Sequence, residues 1–250
     1  MDAIDAHPFD EATRLTGEPG RYHGQTAARY ANMIGPFGGI VAATLLRAVV
    51  DHPNRQGDPL AFTVNFVAPV GDGRFAIDTK VVRTNRSTQH WIIELSQAGE
   101  VAATATAVFA SRRETWSSTE LRCPSVPEAK TGIKVAGDGL PAWLKCYDIC
   151  LFQGGIPPLL AIENEDAFVR SVTLQRMRDE PPRPMDFLSL TAICDTFFPR
   201  IYVRRSGLVP AGTVSFTVYF HVDSEKIATI GDEAVVGIAR ANRFYNNYFD

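Results

Sequence analysis

The strongest chemical signal in this chain is a single carboxylate. In the run Phe187-Leu188-Ser189-Leu190-Thr191-Ala192-Ile193-Cys194-Asp195-Thr196-Phe197-Phe198, Asp195 is the sole charge. It stands near the C-terminal end of a helical pattern, where the helix dipole opposes a negative group. A buried carboxylate without a partner costs on the order of several kcal/mol or takes up a proton. Something must offset that cost. Carboxylates in perturbed environments gather at active sites and serve there as general bases. An ion pair with Arg200, Arg204 or Arg205 would account for Asp195 equally well. Gly38 and Gly39, in Gly35-Pro36-Phe37-Gly38-Gly39, open a second apolar helical run. Free amides at a helix N-terminus favour a carbonyl oxygen that is gaining negative charge, although two glycines there also simply allow close packing. Thr213 offers a hydroxyl where the chain leaves the turn at Gly212, and His221 is a candidate base at a strand end. His7, His23, His52 and His90 show no metal-like spacing, and there is no GxSxG elbow, P-loop or GxGxxG fingerprint.

These residues depend on two helices and the strands around them. Gly38 to Pro53 and Met185 to Pro199 are apolar nearly all round and end in proline, so each helix is expected to be buried on every side. Asp186 is the expected N-cap of the second, entered through the extended Pro181-Pro182-Arg183-Pro184 cluster. Each helix precedes a copy of one pentapeptide, Phe62-Thr63-Val64-Asn65-Phe66 and Phe216-Thr217-Val218-Tyr219-Phe220, set in β-branched and aromatic runs that read as strand. Arg74 to Arg83, Gln89 to Gln97 and Val101 to Ser111 then read as an antiparallel meander. After the second copy the order begins again, with a turn at Gly231-Asp232 and a long strand over Ala234 to Arg243. Strand material is short there by comparison with the first half. The expected organisation is an N-terminal half over residues 1–111, a Pro-, Ser- and Gly-rich linker over 112–140, and a C-terminal half over 141–250, incomplete at its end. The fold class is α+β: two antiparallel sheets, each wrapped around a buried helix and paired into a pseudo-dimer that hides edges.

Gly35 to Val49, Asp58 to Phe66, Arg83 to Gln97, Met185 to Pro199 and Thr213 to His221 together resemble the TesB-type acyl-CoA thioesterases and their relatives, which are double hot-dog proteins. The resemblance covers nearly the whole length. It implies hydrolysis of an acyl-CoA thioester by a water held by an Asp, a Thr or Ser, and a Gln, all from the second half. Asp195 falls on the family's helix Asp. Thr213 falls on its strand hydroxyl, ahead of the aromatic pair Tyr219-Phe220. The family Gln lies on a last strand beyond a Trp, acidic, Gly, Arg/Leu segment, and has no counterpart before Asp250; Gln89 and Gln97 belong to the first half and are not assigned its role. Nor does the first helix carry an acid in Leu46-Arg47-Ala48-Val49, so one site per chain is expected. Two other readings stay open: a non-catalytic or repurposed acyl-binding protein, and a dehydratase or isomerase using His221 or Asp195.

Composition bounds the remaining classes. With 250 residues, 45% of them hydrophobic, and 15 Phe, the chain has ample material for a core. A net charge of -3 gives no reason to expect nucleic acid, and Arg112-Arg113 and Arg200 to Arg205 read as solvated faces. Cys123, Cys146, Cys150 and Cys194 form no CxxC pair, so neither a metal nor a cofactor is expected. The acidic start and the lack of a long apolar run point to a cytoplasmic protein with reduced thiols and no membrane partner. A peroxisomal location is the alternative, without a C-terminal signal. A homo-oligomer is expected, because an open sheet edge favours dimer contacts.

Overall fold

The computed structural model describes residues 6–126, 131–155, 170–205 and 209–250. Its strands are β1 (Thr16–Glu18), β2 (Arg21–Gln25), β3 (Asp58–Phe66), β4 (Arg74–Thr84), β5 (Thr88–Gln97), β6 (Glu100–Ala110), β7 (Ile133–Lys134), β8 (Tyr147–Gln153), β9 (Thr173–Asp179), β10 (Ser215–Tyr219), β11 (Val235–Ala239), β12 (Phe244–Tyr245) and β13 (Tyr248–Phe249). The helices are α1 (Pro8–Ala12), α2 (Gly38–Val50), α3 (Phe187–Cys194), α4 (Arg200–Arg204) and α5 (Ser224–Ala228).

Helix α2 forms over the first apolar run and buries ten of its thirteen residues, as a helix without a polar face must. Arg47 is its one charge, and it reaches out to Thr13 Oγ1 at 3.0 Å and Asp10 at 3.3 Å. The β4–β5–β6 meander lies within one residue of the sequence expectation at each end. Its alternation is clear in β5, where Gln89, Trp91, Ile93 and Leu95 point inward. Ala98 and Gly99, both at positive φ, supply the tight β5–β6 turn.

The sheets are β1-β2-β4-β5-β6-β3-β10 and β11-β9-β8-β7, with β12-β13 apart. This is a double hot-dog, and the two copies of the pentapeptide repeat are what join its halves. β10 pairs antiparallel with β3, setting Phe62 opposite Val218, Thr63 opposite Thr217 and Val64 opposite Phe216. That register is symmetric about Thr63 and Thr217, so a local pseudo-twofold axis passes between their hydroxyls, 3.0 Å apart. Helices α2 and α3 pack against each other across the same junction. Arg112 is exposed, as expected, and also donates to the carbonyls of Pro59 and Phe220, tying the linker to this seam; Arg200, expected on a solvated face, is instead buried.

Two expectations are corrected. The long strand expected over Ala234 to Arg243 is confined to β11, because Ala241 exchanges hydrogen bonds with Ser171 Oγ and Asp250 captures the amides of Asn242 and Arg243. Asn246 and Asn247, at φ 44° and 69°, then turn the chain into the β12–β13 hairpin. The second helix ends at Cys194, short of Pro199, and resumes as α4. The region expected as linker contains β7, which pairs with β8, while its residues 127–130 lie outside the described residues. Pairing is not complete on every edge. Among the described residues β10 is bonded only to β3 and β11 only to β9. No described helix is long and apolar enough to cross a membrane.

Candidate active site

Asp186 starts α3 as expected: its Oδ1 accepts from Ser189 N at 2.8 Å while Oδ2 holds Arg183 at 2.8 Å. The helix then runs, almost wholly buried, to Asp195, which is its C-cap. There the last turn closes, with Thr196 using both its amide (3.0 Å) and its hydroxyl (2.8 Å) on the Ile193 carbonyl. From this C-cap position the Asp195 side chain reaches the N-terminal corner of α2. A Cβ added to Gly38 would stand 2.7 Å from Asp195 Oδ2 and 3.4 Å from the Phe66 ring.

Asp195 therefore sits at the positive pole of one helix and the negative pole of another. Enclosure by protein pushes its pKa up to about 7, and the Gly39 amide directed at the carboxylate partly opposes that rise. The residue is half-buried. None of the ion pairs formed among the described residues includes it. Arg200, one of the partners considered from sequence, is buried and bonded elsewhere, to the carbonyls of Phe198 and Ser171 and to Thr173 Oγ1 at 2.8 Å. A carboxylate near pKa 7 with no ion-pair partner among the described residues is poised to exchange a proton at neutral pH. The neighbouring Cys194 thiol is pushed up to about 11 by burial and by the Asp195 charge, which keeps it protonated and a poor nucleophile.

The structure brings Gly38, Gly39 and Asp195 together, and it separates the duties of the glycines. Gly38 makes room for the carboxylate. Gly39 lets the helices cross, since its Cβ would meet the Ala192 carbonyl of α3 at 2.6 Å and the Phe37 ring at 2.5 Å. Thr213 is exposed and precedes β10, and none of the hydrogen bonds among the described residues joins it to Asp195. Its link to the corner is through the backbone: the next residue, Val214, accepts from Phe66 N at 3.0 Å, and the Phe66 ring borders Gly38. His221 is exposed beyond the strand end. Gln89 and Gln97 are structural, the first bonding Trp91, Gln56, Asn54 and Thr84, the second clasping Gly71.

Sequence reasoning missed the aromatic wall behind this corner. Phe37 stacks on Trp143 at 4.2 Å, and both meet Tyr147 edge-on. The bulky Phe37 directly before two glycines was the available signal. Two cavities lie elsewhere: a pocket of about 20 Å³ beside Ile40 and Thr44, and a broad cleft of about 900 Å³ between the N-terminal segment and Pro181–Asp186. Asp195 lines neither.

Comparison with known proteins agrees with this architecture. The acyl-CoA thioesterase N-terminal domain model matches residues 27–110 and the acyl-CoA thioesterase C-terminal domain model matches residues 121–250. A conserved hot-dog protein of unknown function from Alicyclobacillus acidocaldarius is 47% identical over 98% of this chain and 89% of its own, with a TM-score of 0.91. The tesB protein of Mycobacterium avium subspecies paratuberculosis shares the fold at 14% identity and TM-score 0.71, over 95% of this chain and 87% of its own. No curated protein matches the chain. Because the two domain models between them span most of its length, the chain belongs to the acyl-CoA thioesterase family.

Proposed function

We propose that this protein hydrolyses acyl-CoA thioesters to a free acid and coenzyme A, with Asp195 as general base. The observation that carries the reading is a half-buried carboxylate, its pKa pushed up to about 7, with no ion-pair partner among the described residues, at the glycine-lined N-terminus of α2. Ionised Asp195 takes a proton from water as the oxygen attacks the thioester carbonyl. The tetrahedral oxyanion collapses, the C–S bond breaks, and the leaving thiolate recovers the proton from Asp195. No covalent acyl-enzyme is required.

The amides of Gly38 and Gly39 serve the oxyanion. Protonation of Asp195 frees the Gly39 amide and the α2 dipole from stabilising the carboxylate at the moment when negative charge appears on the substrate. Thr213, whose neighbour Val214 accepts from the amide of Phe66 beside Gly38, helps fix the attacking water.

Asp195→Asn tests the reading. It should lower kcat by about 10²- to 10⁴-fold, the usual contribution of a positioned base, while the fold is kept. Wild-type kcat should rise with pH through about 7, since only the ionised carboxylate accepts a proton. Saturable hydrolysis of acyl-CoA that survives intact in the variant removes Asp195 from the mechanism. Acyl-CoA binding without any turnover would favour the non-catalytic acyl-binding reading instead.

A further inference from the structure

The inner face of β9 has an unusual composition for a core strand. Thr173, Gln175, Met177 and Asp179 all point inward and are buried, while Arg176 and Arg178 point out. Inward positions of a covered strand are normally apolar, yet three of these four are polar. Each polar residue is tied to a different point of the segment that runs from α3 to α4. Asp179 accepts from Ser189 Oγ in the first half of α3. Gln175 Nε2 donates to Thr196 Oγ1 at 3.2 Å. Thr173 Oγ1 accepts from Arg200 at the start of α4 at 2.8 Å.

The middle tie is the informative one. Gln175 and Thr196 are both fully buried, and the Gln175 Oε1 atom has no hydrogen-bond partner there. A buried amide with an orphaned acceptor costs stability, and an apolar side chain of similar size would avoid the cost. The amide nitrogen nevertheless fixes Thr196, whose hydroxyl in turn closes the last turn of α3 onto the Ile193 carbonyl at 2.8 Å. Thr196 is the residue after Asp195. The Gln175–Thr196–Ile193 chain thus sets where the α3 terminus stops and in which direction the Asp195 side chain leaves it.

We infer that Gln175 is a positioning residue which, through Thr196, holds the Asp195 carboxylate in the N-terminal corner of α2. The inference rests on the reading of Asp195 as the reacting group, and it predicts effects that a merely structural glutamine would not produce. Gln175→Met keeps the volume and removes the amide. It should leave the melting temperature unchanged or higher, lower kcat by about tenfold, less than the ~10²-fold that a 1 Å misplacement costs, and keep KM within about twofold. It should also move the Asp195 titration midpoint, followed by carboxyl carbon NMR against Asp195→Asn as the assignment control.

Thr196→Ser, which retains the hydroxyl, should behave as wild type, and Thr196→Val should lower kcat as Gln175→Met does, with a lower melting temperature because it leaves the buried Gln175 amide without Thr196. The double variant should lose no more than either single one, because both break the same chain. An unmoved midpoint together with unchanged kcat in folded Gln175→Met overturns the inference, as does full additivity in the double variant. If Gln175→Met does not fold, the Ser–Val comparison at Thr196 decides. Should Asp195→Asn prove fully active, the catalytic reading fails, but the NMR midpoint still decides whether Gln175 holds the carboxylate.

Discussion

A carboxylate at the end of a helix is at the wrong pole of that helix's dipole. Asp195 is tolerated because the turn through Thr196 places it at the right pole of α2, beside two glycines. The two glycines should respond differently to alanine. In Gly38→Ala the new methyl would stand 2.7 Å from Asp195 Oδ2, and a side chain can swing aside. The cost to stability should be at the low end of the ~1–3 kcal/mol typical of overpacking, with a disproportionate fall in kcat. In Gly39→Ala the methyl meets the Ala192 carbonyl, which is backbone and cannot swing, so the melting temperature should fall further. Hydrolysis and thermal melts on the two variants check this; a Gly38→Ala protein that keeps full activity would show that the carboxylate's place in the corner is irrelevant.

The elements follow from local sequence wherever local rules decide them. Both apolar helices, the Asp186 N-cap and the β4–β6 meander were legible because hydrophobic period, capping chemistry and turn residues act over a few positions. The end of β11 was not: the chain leaves the ladder through Ser171, distant in sequence, and through Asp250, whose side chain caps the amides of Asn242 and Arg243, contacts that no strand propensity encodes. The polar face of β9 was equally hidden, since the burial of Gln175 and Asp179 depends on α3 being laid over them. The cap offers a quantitative check. Asp186→Ala removes the bond to Ser189 N and one partner of Arg183, which retains Asp10 at 3.0 Å. Urea unfolding should show a loss of about 1 kcal/mol, within the range for N-cap deletions, with little change in KM, because α3 still packs on α2. A large loss of activity at unchanged stability would mean that Asp186 has a role beyond the cap.

At the scale of the whole molecule, the pentapeptide repeat was visible in the sequence, but its meaning was not. Similarity of Phe62-Thr63-Val64 to Phe216-Thr217-Val218 does not say that the strands pair with each other about Thr63 and Thr217. That pairing brings the α2 N-terminus of one half against the α3 C-terminus of the other, so the corner exists only when both halves are folded together. Since α2 carries no acid, the symmetry of the strands is not matched by a second carboxylate on that helix. The same corner should leave a signature in the pH dependence of stability. Asp195 and Asp179 have folded pKa values of about 7 and about 6, both raised by burial above the ordinary 3.8. Between pH 4 and 7 the native protein thus binds more protons than the unfolded chain. Linkage then requires stability to fall as pH rises through that window and to be greatest on its acidic side. Asparagine at position 195 mimics the protonated acid, so Asp195→Asn should raise the melting temperature at pH 8 more than at pH 5, while the smaller slope from Asp179 remains in both proteins. Equal differences at the two pH values would show that the carboxylate is not held at a cost in the folded state, and the case for a strained base in this corner would go with it.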